Sequence, residues 1–134
     1  MEEAKKIILI VEDEPSLLNV LEEKFTKEGF EVMRAADGQE GLDKFGQKTP
    51  DLVLLDIIMP IMNGIEMLTK MREMPKGNQI PVILLTNLTS PPEPSFRKII
   101  GESSEYLVKS DWKLDDVVEK VKNKLAKDNL PTQK

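Results

Sequence analysis

The sequence predicts an α/β protein: a parallel sheet with helices packed on both of its faces. Three observations point there. Apolar runs of strand length alternate five times with stretches at helical spacing. Two of those runs, Leu52-Val53-Leu54-Leu55 and Pro81 to Thr86, are apolar almost throughout, as strands covered on both faces are. The first of these two runs ends on an acid, Asp56, at the carboxyl end of a buried strand, where open α/β sheets hold their ligands.

In order, Lys6 to Val11 (KIILIV) is apolar and β-branched and reads as the first strand. Glu12-Asp13-Glu14-Pro15 then opens a helix, because proline lacks the N–H that would be unpaired in a first turn. Leu17, Leu18, Leu21 and Phe25 recur at helical spacing, and Gly29 ends that helix. Phe30 to Ala35 is a second, shorter strand. Asp37-Gly38 turns the chain into a short helix carrying Gly41, Leu42 and Phe45 and ending near Gly46. Thr49-Pro50-Asp51 leads into the central strand, which ends at Asp56. Met59-Pro60 and Asn63-Gly64 mark turns, and a third helix runs from about Gly64 to Met74 with Ile65, Leu68 and Met71 inward.

Pro81 to Thr86 is the fourth strand. Pro91, Pro92 and Pro94 exclude a helix interior, so the fourth helix is short, about Ser95 to Gly101. Glu105 to Val108 is a brief fifth strand ending at Lys109. Ser110 or Asp111 caps the last helix, whose buried stripe is Leu114, Val117, Val118, Val121 and Leu125. From about Asp128 the chain is expected to fray. No repeat, low-complexity tract or interdomain linker interrupts the pattern.

The 134 residues suit one domain large enough to fold without a disulfide or structural metal. With Cys 0 and His 0, the chain has no thiol catalyst, no imidazole acid-base group and no histidine metal ligand. A net charge of -5 argues against a nucleic-acid surface. No apolar stretch reaches the roughly 20 residues of a membrane span. Met1 to Lys6 is charged and lacks the apolar core of a signal peptide, so a soluble cytoplasmic protein is expected.

The chemistry gathers at the strand ends. Strand one ends in Glu12-Asp13, strand three in Asp56, strand four in Thr86 and strand five in Lys109, and a parallel sheet brings all four to one edge. If strands one and three are neighbours, the carboxylates converge, repel one another and call for a cation. Oxygen ligands of this kind suit Mg2+. Lys109 would add a positive charge and Thr86 a hydroxyl donor, a set able to stabilise a transferring phosphoryl group. A carboxylate is also a competent nucleophile towards phosphorus. Each residue alone has an ordinary explanation: a solvated acidic helix start, a β-branched strand residue, a surface lysine. Their joint placement at four strand ends does not.

On these residues, and on the Asp56-x-x-Met-Pro-x-x-Asn-Gly run with Thr86, Tyr106 and Lys109, the chain resembles a receiver domain of two-component response regulators of the single-domain type. The likeness covers about Lys6 to Leu125. It implies a doubly wound, flavodoxin-like sheet of five parallel strands in the order 2-1-3-4-5, a receiver over residues 1–127, a tail at 128–134 and no output domain. It implies that Asp56 is the phosphoacceptor for a sensor histidine kinase, a phosphotransfer protein or a small acyl phosphate. Glu12 and Asp13 would hold Mg2+, Asp13 directly and Glu12 partly through water, together with Asp56 and the backbone carbonyl of Ile58. Lys109 would pair with Asp56 and then with the phosphoryl oxygens. Thr86 would move towards the phosphoryl group and Tyr106 would turn inward behind it, a two-state switch driven by one covalent charge. A downstream protein would read the face built from the fourth predicted helix, the fifth strand and the last helix. Such a protein catalyses its own phosphorylation and slow autodephosphorylation but turns over no external substrate.

The chain departs from the family pattern at four places. The acid pair is Glu12-Asp13 rather than two aspartates. Ser110 follows Lys109 where the family has a cis proline; a cis bond before a non-proline residue costs about 2.5–4 kcal/mol, so a trans bond is expected. Asn87 stands where a small residue is usual, while Ile58 and Leu88 are apolar at the positions that tune hydrolytic water, which implies a long-lived phosphoryl group. The Pro91-Pro92-Glu93-Pro94 run shortens the helix on the expected output face.

Other functions fit less well. An aspartate-nucleophile phosphatase of the haloacid-dehalogenase group carries a second aspartate two residues on, where this chain has Ile58. A flavodoxin-like electron carrier needs Gly, Ser or Thr donors for a flavin phosphate where this chain has Glu12-Asp13-Glu14. A degenerate, phosphate-independent receiver is disfavoured by the intact acidic site.

Overall fold

The structure, a computed structural model, describes residues 5–56, 64–77, 79–86, 104–108 and 113–129. The elements are β1 (Ile7–Val11), α1 (Pro15–Lys27), β2 (Glu31–Ala35), α2 (Gly38–Gln47), β3 (Leu52–Asp56), α3 (Gly64–Arg72), β4 (Val82–Thr86), β5 (Ser104–Val108) and the last helix, α4 (Leu114–Asn129). All strand pairs are parallel, and the sheet order is β2-β1-β3-β4-β5. The expectations at Ile58, Asn87, Leu88, the proline run, the helix over 95–101, Lys109 and Ser110 lie outside the described residues.

Alternation along each strand divides the core in two. Leu9 and Val11 of β1, Val53 and Leu55 of β3, and Val82 and Leu84 of β4 face α2 and α3, where Phe45, Met67, Leu68 and Met71 cover them. Ile8, Ile10, Leu52, Leu54, Ile83 and Leu85 face the other way, under Leu18, Leu21 and Phe25 of α1 and Val117, Val118, Val121 and Leu125 of α4. Both faces of β1, β3 and β4 are therefore dry, which is why these strands read as unbroken apolar runs. β2, at the edge, is only partly buried apart from Ala35.

Local chemistry sets the helix ends. After α1, Gly29 takes φ 97°, its N–H donates to the Thr26 carbonyl at 3.1 Å, and the Phe30 N–H donates to the Phe25 carbonyl at 3.0 Å. That is a Schellman stop, and its hydrophobic contact is the edge-to-face pair of Phe25 and Phe30, 5.5 Å between ring centres. α2 starts under Asp37, whose Oδ1 accepts from the Glu40 N–H at 2.8 Å. Gly41 lets α2 approach closely: a Cβ there would lie 2.8 Å from Met67 Sδ and 3.0 Å from Val11 Cγ2.

Three sequence expectations need correction. Met67, not named among the inward residues of α3, is fully buried, while Ile65 is only partly so. α3 ends at Arg72 rather than near Met74, because a succession of turns follows, with Lys76 at φ 66° and Gly77 packed against the Met71 carbonyl. α4 begins at Leu114, not beside a cap at Ser110 or Asp111. The Lys113 carbonyl accepts from the Asp116 N–H at 2.9 Å, and the Asp116 carboxylate accepts from the Lys113 N–H at 3.0 Å, so the helix start closes on itself. α4 runs to Asn129, and residues 130–134 of the expected tail lie outside the described residues.

Candidate functional site

Strand register brings the acids together. β1 and β3 pair up to Val11 opposite Leu55, so the next residues, Glu12 and Asp56, stand level at the carboxyl edge of the sheet. Asp56 in turn pairs with Leu85, and Thr86 with Val108, so the ends of β4 and β5 reach the same edge. The register starts from the opposite edge, where Asp51 and Ile7 exchange two hydrogen bonds. The Ile7 N–H donates to Asp51 Oδ2 at 2.7 Å, and the Asp51 N–H donates to the Ile7 carbonyl at 2.8 Å.

One carboxylate oxygen from each of Glu12, Asp13 and Asp56 lies within 4.8 Å of the others. Glu12 is 1% exposed and Asp56 3%, whereas Asp13 is more open to solvent. Two buried carboxylates and a third beside them repel one another strongly in the absence of a cation. The donors are all hard oxygens, and the open side at Asp13 leaves room for water in a coordination shell. That set fits Mg2+, which binds through a few carboxylates and keeps several waters.

The loop that carries these acids is built by the backbone. The Glu12 N–H donates to the Ala35 carbonyl at 3.0 Å, which continues the β1–β2 ladder one residue past the strand. Glu14 is the N-cap of α1, and its side chain makes no capping hydrogen bond. Its carbonyl accepts from the Leu18 N–H at 2.9 Å, and Pro15 fills the first helical position. Glu12 Oε2 accepts from the Glu14 N–H at 3.1 Å. Glu12, Asp13 and Asp56 thus lie together as the sequence led one to expect. Thr86 and Tyr106 lie in β4 and β5, with only their backbone described, and Lys109 and Ile58 fall outside the described residues. Sequence reasoning missed the Asp51–Ile7 exchange and the Glu12–Glu14 bond. Thr49-Pro50-Asp51 reads as an ordinary strand entry, and an acid before an N-cap reads as helix-dipole chemistry.

Among the described residues no helix is long and apolar enough to cross a membrane. The family model described as response regulator receiver domain matches residues 8–122. A probable transcriptional regulator ycf27 of Guillardia theta is 41% identical over 86 residues, which cover 64% of this chain and 33% of that protein. Chemotaxis protein CheY4 of Vibrio cholerae superposes with a TM-score of 0.82 at 28% identity, over 90% of this chain and 98% of that one. Response regulator TrrA of Thermotoga maritima, solved in complex with Mg(2+)-BeF, superposes with a TM-score of 0.76 at 36% identity, over 89% of this chain and 98% of that one. The chain spans between 33% and 54% of the length of the curated relatives it matches.

Proposed function

The chain belongs to the response regulator receiver domain family, and on that premise we propose that it is a phosphoacceptor whose nucleophile is Asp56. The observation that carries this reading is the meeting of Glu12, Asp13 and Asp56 at the carboxyl edge of the central strands. An Asp56 carboxylate oxygen attacks the phosphorus of a phosphohistidine or an acyl phosphate. The new O–P bond forms as the donor's P–N or P–O bond breaks, and the leaving group departs on the opposite side. Glu12, Asp13, Asp56 and the Ile58 carbonyl would hold Mg2+, which when bound neutralises the acids and the phosphoryl oxygens. Burial holds the Asp56 carboxylate in a fixed position and limits water around it. Lys109 balances the charge on the phosphoryl group, Thr86 donates a hydrogen bond to it, and Tyr106 follows Thr86 in the switch, by their family roles.

The donor is a sensor histidine kinase or a phosphotransfer protein, and the output passes through protein contacts at the face of β5 and the helices beside it. The net charge of -5 supports a protein partner over a polyanion. The protein turns over no external substrate. Intact-mass measurement after incubation with acetyl phosphate, with and without Mg2+, tests the reading. A Mg2+-dependent, base-labile adduct on the wild type and none on Asp56→Ala is expected; an equal adduct on the variant overturns it. The apolar Ile58 and Leu88 predict slow decay of that adduct, and loss within seconds at room temperature would contradict this.

A further inference from the structure

We propose that Glu12, beside its own place among the carboxylates that would hold Mg2+, is a positioning residue that acts on the cation site through the backbone of Glu14 and thereby fixes Asp13. This rests on the reading of the acidic cluster as a divalent-cation site. The carboxylate of Glu12 is buried, and Oε2 accepts from the Glu14 N–H at 3.1 Å. That bond closes a ring around the single residue between its two ends, Asp13. It also fastens the N-cap residue of α1, whose own side chain makes no capping hydrogen bond.

Glu12 itself is anchored from the other side, where its N–H donates to the Ala35 carbonyl at 3.0 Å. The loop from β1 to α1 is thus fastened at Glu12 by the neighbouring strand and at Glu14 by the Glu12 side chain. Asp13, the more exposed acid, is held between the two. The glutamate in this acid pair therefore preorganises Asp13 before a cation arrives, in the manner of an outer group that orients a ligand.

Two readouts test this on the full chain. In metal-free protein, the exchange rate of the Glu14 amide hydrogen is measured by NMR in the wild type, Glu12→Gln and Glu12→Ala, with the Leu9 and Ile10 amides as a check on the fold. Glutamine keeps an acceptor of the same length and retains most of the protection, whereas alanine speeds Glu14 exchange about tenfold, the scale of one charge-assisted hydrogen bond. Calorimetric titration with Mg2+ alone then gives the affinities. Both variants lose one charge, but Glu12→Gln binds several-fold more tightly than Glu12→Ala, whose loss reaches about 10- to 100-fold. Unchanged Glu14 exchange in Glu12→Ala, or equal Mg2+ affinities for the two variants, overturns the proposal. Should Glu12→Ala fail to fold, Glu14 exchange in Glu12→Gln as fast as in an unstructured peptide overturns it. Wild-type protein that binds no Mg2+ would sink the cation reading instead, and the amide measurement would still decide the role of Glu12.

Discussion

Ile7 and Asp51 are joined in both directions: the Ile7 N–H meets Asp51 Oδ2 at 2.7 Å, and the Ile7 carbonyl accepts the Asp51 N–H at 2.8 Å. The pair sets the stagger of β3 against β1 at the end of the sheet opposite the acids. From it, the register carries Asp56 level with Glu12. Asp51→Ala removes the acceptor of a partly buried N–H and is expected to destabilise the protein by about 1–3 kcal/mol. Asp51→Asn keeps a carbonyl oxygen and should lose less. Urea denaturation of both variants checks the order.

Neutralising Asp56 relieves the repulsion among carboxylate oxygens that lie within 4.8 Å of one another. Asp56→Asn should therefore melt at a higher temperature than the wild type in the presence of a chelator. It should also lose most of the further rise that Mg2+ gives the wild type, since a ligand stabilises only the state that binds it. Scanning calorimetry with and without Mg2+ reads both effects. A variant less stable than the wild type in the chelator would mean that Asp56 is held by attractive contacts stronger than the repulsion.

Arg72 closes the exit from α3. Its Nη1 donates to the Gly77 and Ile80 carbonyls, each at 2.8 Å, and burial pushes its guanidinium below the ordinary arginine value. A methionine fills similar volume but leaves two carbonyls without their donor. Arg72→Met is expected to cost about 1–3 kcal/mol, with faster amide exchange at the Gly77 turn than at β1. Arg72→Lys, with a single ammonium in place of a planar fork, should recover only part of the loss.

A chain of charges links α1 to α4. Lys24 meets Asp115 at 2.8 Å and Glu28 at 3.6 Å, and Lys122 meets Glu28 at 2.7 Å. The hydrogen bond from Lys122 lowers the Glu28 pKa, that from Lys24 lowers Asp115, and Asp115 raises Lys24. A depressed carboxylate stabilises the fold above its unfolded value, near 4.5 for Glu28 and 3.8 for Asp115, and that contribution fades as pH falls through the lower folded value. The Lys24 contribution is present below 10.5 and fades as pH rises through the higher folded value. Asp115 and Lys122 are exposed and Lys24 and Glu28 are only partly buried, so the effect is small and screened by salt. Asp115→Asn should differ from the wild type near neutral pH in dilute buffer. The difference should vanish in strong acid, and also at about 1 M salt, where the screening length is about 3 Å.

Much of this was legible in the chain because burial on two faces leaves a plain mark. β1, β3 and β4 are dry on both sides, so they appear as uninterrupted apolar runs, and the acids that end β1 and β3 stand out against them. The stripe of α4 was equally readable: Val117, Val118, Val121 and Leu125 are buried as their spacing demands. What escaped were features made by reach rather than pattern. Nothing in the local sequence says that Asp116 turns back to the Lys113 N–H in place of a cap at Ser110 or Asp111. Arg72 looks like a basic residue favouring a helix end, yet it is spent on carbonyls five and eight residues ahead. Met67 was missed because Ile65, Leu68 and Met71 already satisfied the period, while the space for Met67 is opened by Gly41 on another helix.

The two-sided core also separates some of its most deeply buried methyl groups. Among the described residues, the fully buried isoleucines, Ile8, Ile10 and Ile83, lie beneath α1 and α4, while the fully buried methionines, Met67 and Met71, project from α3 into the layer on the other side of the sheet. The assigned methyls of Ile8, Ile10 and Ile83 on one side and of Met67 and Met71 on the other therefore give two sets of reporters separated by the thickness of the sheet, with no engineered probe. A perturbation at the acidic edge that spreads into only one layer would shift one set of resonances and leave the other in place.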